Sequence, residues 1–471
     1  MSVADLKESC DVAVIGAGPA GLAAAAACAQ AGLSTVLFDE QASPGGQAYR
    51  SITTTPLAGS RVLGEDYGKG ALLAKSFLAS GAQYVPGATV WSLTPAREIG
   101  VSVGGGSAIV TAKRAIIATG ALERPFPIPG WTLPGVMTAG AGQILLKSSG
   151  LVPGGATVLA GCGPLLWLLA WQYLQAGKTV DAILDTTPVE NRALAFPHVF
   201  SFLASPYLFK GLSLMWAVKR RVRVIGGVTA LRAIGTDRVQ AVAWRCHDGA
   251  EETMPVDALM LHQGVVPNVN LAMSVGIEHR WDETQLCFSP VLDADGGTSI
   301  EGIAIAGDGA GIAGAQAAAW RGMLAAMAAV RALDPGAKLP PEGIARRALA
   351  RFGRGRRFLD LLYRPARAFR IPEGDTIACR CEETTARQIV DTVALGCTGP
   401  NQMKSFLRCG MGPCQGRFCG LTVTELIGQA RGVAPQEVGY YRLRPPVKPI
   451  TVGELASLPT TPAAVKAVVR I

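Results

Sequence analysis

Val12-Ala-Val-Ile-Gly16-Ala-Gly18-Pro-Ala-Gly21, then an alanine-rich run to Gly32, then Ser34-Thr-Val-Leu-Phe-Asp39: this stretch decides the fold. Four apolar residues form a buried strand. The glycines form a tight turn, and the alanines form a helix that can pack closely. Gly16 permits the turn, Gly18 lets a pyrophosphate approach the backbone, and Gly21 lets helix and strand touch. The helix N-terminus stabilises the phosphates. Asp39 ends the second strand with seventeen residues between it and Gly21, where an acid can hold an adenosine ribose. Glu40 is the weaker candidate for that role. The complete strand–turn–helix–strand–acid unit makes the signal specific, where an isolated G-x-G-x-x-G would not be.

Three later motifs select FAD for this site. Gly45-Gly46-Gln47 follows the acid closely, Ala115-Ile-Ile-Ala-Thr119-Gly120 is a strand ending in a Thr-Gly turn, and Gly302-Ile-Ala-Ile-Ala-Gly-Asp308 is a strand ending in Gly-Asp. In this order and spacing they resemble the two-dinucleotide-domain flavoproteins, the glutathione- and thioredoxin-reductase-like superfamily. The resemblance implies a doubly wound α/β fold with two nucleotide-binding domains, and a ribityl-binding role for Asp308. A second βαβ unit opens at Thr157-Val-Leu-Ala and turns through Gly161-Cys-Gly163-Pro-Leu-Leu166. Leu166 replaces the third glycine, which crowds a bound pyrophosphate, so NAD(P)H use is not expected there. Asp185 could still hold a ribose. The redox cysteine pairs of disulfide reductases are missing from their expected places.

Cys379 and Cys381 form a C-x-C pair. Cys414 and Cys419 form a C-x4-C pair in Cys409-Gly-Met-Gly-Pro-Cys-Gln-Gly-Arg-Phe-Cys419, with thirty-two residues between the pairs. Four thiolates point to iron–sulfur or zinc. Eleven cysteines, an odd number, and the lack of a recognisable export signal point to a reducing cytoplasm and not to a disulfide framework. Cys409–Cys414 has the same spacing as Cys414–Cys419. The Gly-Met-Gly-x-Cys-Gln-Gly-x-x-Cys run resembles the small helical [2Fe-2S] domain related to bacterioferritin-associated ferredoxin. That resemblance implies Cys379, Cys381, Cys414 and Cys419 as ligands, with Cys409 a near neighbour outside the set. A zinc knot is the bland alternative.

The chain carries 44 basic and 35 acidic residues, and the excess is local. Lys338 through Arg370 holds ten basic side chains against Glu342 and Asp360. It lacks regularly interleaved aromatics, which argues against nucleic acid and for a solvated linker or a surface facing a partner. Aromatics instead crowd Phe196–Trp216, as expected of a helical pair on the second domain or of an interface. His198 and His262 read as structural histidines before catalytic bases. The expected organisation is an FAD-binding domain over 1–122 and 290–333, a second nucleotide domain over 123–289, a basic linker over 334–375, a [2Fe-2S] domain over 376–432 and a proline-rich tail over 433–471.

From the first glycine turn to the tail, the sequence resembles the FAD/[2Fe-2S] alpha-type subunits of heteromeric amine dehydrogenases. The group includes octopine and nopaline oxidases, D-hydroxyproline dehydrogenase and hydrogen cyanide synthase. The resemblance implies an electron-relay subunit of a dye- or quinone-linked oxidoreductase acting on CH–NH or CH–NH2 donors. A separate beta subunit, like glycine or D-amino-acid oxidases, oxidises the C–N bond. A small ferredoxin-like gamma subunit, FMN at a subunit interface, an adenine nucleotide in the second domain and attachment to the inner membrane face all stay open. The rival readings are a self-sufficient NAD(P)H oxidoreductase and a non-enzymatic scaffold.

Overall fold

The computed structural model describes residues 2–247 and 249–459. The opening stretch folds as read. Strand β1 (Ser9–Ile15) pairs in parallel with β2 (Thr35–Asp39), setting Val14 opposite Leu37. On its other side β1 pairs in parallel with β6 (Gly106–Ile117), setting Val14 opposite Ile116. With β3 (Gln83–Pro86), β4 (Thr89–Leu93) and β5 (Glu98–Val103) the order is β3-β2-β1-β6-β5-β4, and Ile303–Ile305 adds a parallel strand on β6. That last strand returns to the first sheet from beyond the second unit.

Helix α1 (Pro19–Gln30) covers this sheet and is crossed by the long helix Ala315–Leu333. The alanines are explained by that crossing. A Cβ on Gly322 would lie 2.0 Å from the Ala20 carbonyl oxygen, so only small residues allow the two backbones to meet. Leu22, Ala24, Ala25 and Cys28 are buried there with Val12, Val14 and Ile116.

The second unit has a five-stranded parallel sheet. It comprises β7 (Val136–Thr138), β8 (Thr157–Cys162), β9 (Ala182–Asp185), β10 (Arg223–Ile225) and β14 (Ala258–Gln263), in the order β10-β9-β8-β14-β7. An antiparallel sheet of β11 (Val228–Gly235), β12 (Val239–Cys246) and β13 (Glu251–Pro255) packs beside it. Leu166, in place of the third glycine, is buried against Leu159, Leu169 and Met260. The aromatic segment forms short helices and the helix Tyr207–Lys219, leaving Phe196, Phe200, Phe209 and Trp216 exposed. The basic linker forms helix Glu342–Gly353, which packs on the long helix Ala315–Leu333 of the first unit, and helix Arg356–Leu362, which packs on the short helices of the second unit with Phe358 stacked on Phe202.

The cysteine unit has a short two-stranded sheet, Ile377–Cys379 with Thr384–Thr385, and helices Ala386–Ala394, Pro400–Leu407 and Gly420–Arg431. Its core joins Ile389, Met403, Val423 and Ile427 to Cys379, Cys409 and Cys419. It is fastened to the larger body. Trp131 Nε1 donates to the Ile377 carbonyl at 2.8 Å, Asn270 Nδ2 donates to the Gln415 carbonyl at 3.0 Å, and buried Glu425 pairs with Arg370. The tail then runs back over the first unit, where Val447 N donates to the Trp91 carbonyl at 2.9 Å. Residues 460–471 of the expected tail lie outside the described residues. Among the described residues no helix is long and apolar enough to cross a membrane.

Candidate dinucleotide and metal centres

A cavity of about 320 Å³ lies over the carboxyl ends of β1, β2 and β6. Gly16, Gly18, Asp39, Glu40, Gly46, Gln47, Thr119, Gly120 and Asp308, all expected from the sequence, line it. Gly21 and Gly45 shape it from behind. A Cβ on Gly21 would lie 1.8 Å from the Gly16 carbonyl oxygen, and the Gly45 N–H donates to the Ala17 carbonyl at 2.8 Å. The two glycine loops meet face to face. A Cβ on Gly46, at φ +59°, would lie 2.6 Å from the Gly18 Cα.

Asp39 is buried, and burial pushes its carboxyl up despite hydrogen bonds from Gln41 N at 2.7 Å and Ala17 N at 2.5 Å. Glu40 lies at the rim, paired with Lys448 at 2.5 Å. Asp308 Oδ1 accepts from Ala313 N and Gly314 N, both at 2.9 Å, which fixes its carboxylate in the wall. Thr119 Oγ1, Asn270 Oδ1 and Arg50 Nε border the cavity, buried and without a protein partner. Orphaned polar atoms in a glycine-lined cavity are what a polar dinucleotide would satisfy. The residues fit FAD on that ground.

Five cysteines converge in the C-terminal unit. The sulfurs of Cys379, Cys409 and Cys419 lie within 4.8 Å of one another. Cys414 hydrogen-bonds with Cys419 and Cys381, and a Cβ on Gly412 would lie 3.3 Å from the Cys381 sulfur. Tyr441 covers the group, its hydroxyl 3.4 Å from the Cys409 sulfur and 3.7 Å from that of Cys419. Bonds from the Cys409 and Cys419 thiols, joined by the Gly410 N–H, pull Cys379 down to about 2. Bonding from Cys419 brings Cys414 down to about 5, while Cys409, donating to Cys379, rises to about 12. Buried sulfurs with backbone N–H groups aimed at them suit a soft metal or an iron–sulfur centre. The four expected cysteines are all brought together. Cys409, expected outside the ligand set, stands inside the compact triad, because the Gly410 turn folds it back under Tyr441.

The two sites are neighbours. Arg417, between Cys414 and Cys419, lines the dinucleotide cavity while its Nε donates to the Cys414 carbonyl at 3.0 Å. Sequence reasoning did not single out Arg417, although a cation between two cysteines of one motif was a visible signal. Lys448 carried no such signal. Nor did Lys147, which is buried on helix Ala139–Ser149 of the second unit and donates to the Gln47 and Ala48 carbonyls at 3.2 and 2.9 Å. His262 is held by Glu123 at 2.7 Å, and Glu123 also accepts from Gly140 N at 2.9 Å. That is a structural pair outside the cavity lining. His198 sits half-buried in a short turn of helix.

Residues 10–322 match the family model described as pyridine nucleotide-disulphide oxidoreductase, and residues 378–458 match the sarcosine oxidase A3 domain. The opine oxidase A-type chain of Agrobacterium tumefaciens (strain Ach5) is 48% identical over 98% of this chain and 95% of its own length. The HcnB chain of hydrogen cyanide synthase from Pseudomonas aeruginosa is 31% identical over 95% of this chain and 98% of its own. Among solved structures, L-proline dehydrogenase from P. horikoshii superposes with a TM-score of 0.69 at 20% identity, covering 95% of this chain and 79% of that one.

Proposed function

The chain belongs to the pyridine nucleotide-disulphide oxidoreductase family, in the branch of the opine oxidase A-type chains, and from that premise we propose that it relays electrons inside a heteromeric amine or amino-acid dehydrogenase. FAD occupies the first cavity and a [2Fe-2S] centre the cysteine cluster. A partner flavoprotein oxidises the C–N bond of an opine, a proline-like imino acid or glycine. A respiratory quinone or similar acceptor takes the electrons away, with the complex in the cytoplasm or at the inner membrane face.

One observation carries this reading: a single loop, Cys409–Cys419, supplies both cluster sulfurs and, through Arg417, a wall of the dinucleotide cavity. Bound FAD accepts electron pairs and a [2Fe-2S] centre carries single electrons, so together they join a two-electron donor to a one-electron path. The chain's own residues do the positioning. Gly16, Gly18 and Gly46 would admit the pyrophosphate, Asp39 would receive the ribose hydroxyls, and Asp308 and Thr119 would hold the ribityl chain. Arg417 places positive charge between the two centres, which favours a reduced, anionic occupant of the cavity.

Cys379, Cys381, Cys414 and Cys419 are the proposed ligands. Cys409→Ser and Cys414→Ser separate this set from one that uses Cys409. The test is co-expression with the partner flavoprotein, addition of an opine, a proline-like amino acid or glycine, and electron paramagnetic resonance of the chain's cluster. Substrate turnover with the cluster left oxidised would remove the relay.

A further inference from the structure

The carboxyl ends of β8, β9 and β14 form the crevice where a parallel sheet of this kind takes its nucleotide. Here the chain's own segment 362–364 lies across that crevice. The Tyr363 carbonyl oxygen is 3.4 Å from the Cys162 sulfur, inside the Gly161-Cys-Gly163 turn that would face a pyrophosphate. The same sulfur is 3.1 Å from Gln263 Oε1 at the end of β14, and Gln263 Nε2 donates to Thr186 Oγ1 at 2.8 Å just past β9. Asn191 clamps both flanks, its Nδ2 donating to the Leu362 carbonyl at 3.0 Å and the Arg364 carbonyl at 2.7 Å.

The Tyr363 side chain is half-buried in the field of Asp185, the acid at the end of β9 that a ribose would need. Burial, with Asp185 and Cys162 nearby, pushes the phenol up to about 12. The segment is delivered by helix Arg356–Leu362. That helix is anchored by the Phe202–Phe358 stack at 4.4 Å and by Gly355 N donating to Ser201 Oγ at 3.1 Å, and the end of the preceding helix is tied down by Tyr207 Oη donating to the Phe352 carbonyl at 2.8 Å.

We propose that Tyr363 and its two neighbours are a specificity element: they fill the second dinucleotide site and deny it to nicotinamide nucleotides, so reducing equivalents reach the chain through a protein partner. The partner clause rests on the relay reading; the exclusion itself does not. A nucleotide needs the turn's N–H groups and Asp185, and to reach them it must break both Asn191 bonds and expose Tyr363. Its apparent affinity is then the intrinsic one multiplied down by the fraction of open molecules.

The experiment is equilibrium dialysis of NADH against the intact chain and against Asn191→Ala and Tyr363→Gly. The intact chain should show no saturable binding up to about 1 mM, a free energy weaker than about −4 kcal/mol. The variants raise the open fraction, so binding should tighten at least about tenfold. Saturable binding to the intact chain overturns the proposal. So does a variant that retains its FAD absorbance and still binds no NADH, since exclusion would then lie with Leu166. Should neither variant fold, hydrogen exchange of the intact chain decides. Amides of 362–364 unaffected by NADH support the plug, and amides that exchange faster with NADH present overturn it. NADH binding would leave the relay standing, because the relay is tested separately by substrate and partner.

Discussion

Gly46→Ala puts the cradle itself under load. Gly46 sits at φ +59°, where an alanine costs about 1–2 kcal/mol. Its methyl would also stand 2.6 Å from the Gly18 Cα and 3.2 Å from the Gly18 N. Both obstacles are backbone, so the loops must part by roughly 1 Å to reach ordinary carbon contact. Overpacking of that kind costs about 1–3 kcal/mol. The strain is relieved by opening the gap between the loops, which is the wall of the cavity, so most of it appears as lost affinity. A combined cost of about 3 kcal/mol weakens FAD roughly a hundredfold.

Gly18→Ala is the control. Gly18 has an extended backbone at φ −73°, ψ −178°, and its Cβ would meet only the Gly46 Cα at 4.0 Å. The apoprotein should therefore melt like the parent. FAD should weaken at least about tenfold through loss of the close pyrophosphate approach. The assay is flavin absorbance per protein after gel filtration at graded FAD, with thermal melting of the apoproteins. A Gly46→Ala protein that keeps full FAD and the parent's melting temperature would show that the Gly18–Gly46 contact does not shape the FAD cradle.

Cys414→Ser should lose the visible circular dichroism and iron of the cluster while keeping FAD. Cys409→Ser should keep its iron; the reverse pattern would move the fourth ligand to Cys409. Burial pushes the Lys147 ammonium down to about 7 from an ordinary value near 10.5. The native state therefore sheds that proton first, the unfolded state binds more protons between those values, and Lys147's contribution to stability rises with pH from about 7 to about 10.5. Measured as a difference in unfolding free energy, parent minus Lys147→Met should climb by up to about 1.4 kcal/mol per pH unit there. A flat difference would show that the hydrogen bonds to Gln47 and Ala48 hold the charge. Glu425→Ala leaves the Arg370 guanidinium unpaired in a mostly buried site, and should destabilise the cysteine unit by about 3–5 kcal/mol in urea titrations followed by cluster absorbance.

What could be read from the sequence was local. Gly16-Ala-Gly18-Pro-Ala-Gly21 and Asp39 declare themselves because one βαβ unit contains every element the chemistry needs. Gly45-Gly46-Gln47, Thr119-Gly120 and Asp308 follow because their order fixes where each strand ends. The cysteine run narrows its chemistry to iron–sulfur or zinc through its thiols, and the cluster type and ligand set come only from resemblance. Contacts between distant segments were not legible. Nothing in Tyr363-Arg364-Pro365 says that it crosses the crevice near Asp185, because that placement depends on Asn191 and Phe202 in another segment. Lys448 reaches Glu40 only because the tail turns back over the first sheet. The resemblance places Cys409 outside the ligand set, and only the fold around Gly410 and Tyr441 puts its sulfur beside Cys379 and Cys419.

The most direct measurement is anaerobic freeze-quench of the chain with its partner flavoprotein, mixed with an opine, a proline-like amino acid or glycine, or separately with NADH. The expected result is a reduced [2Fe-2S] resonance that grows with the amine or amino acid at the rate of product formation, and no resonance with NADH. Product forming while the cluster stays oxidised, or a cluster reduced by NADH alone, would contradict the relay.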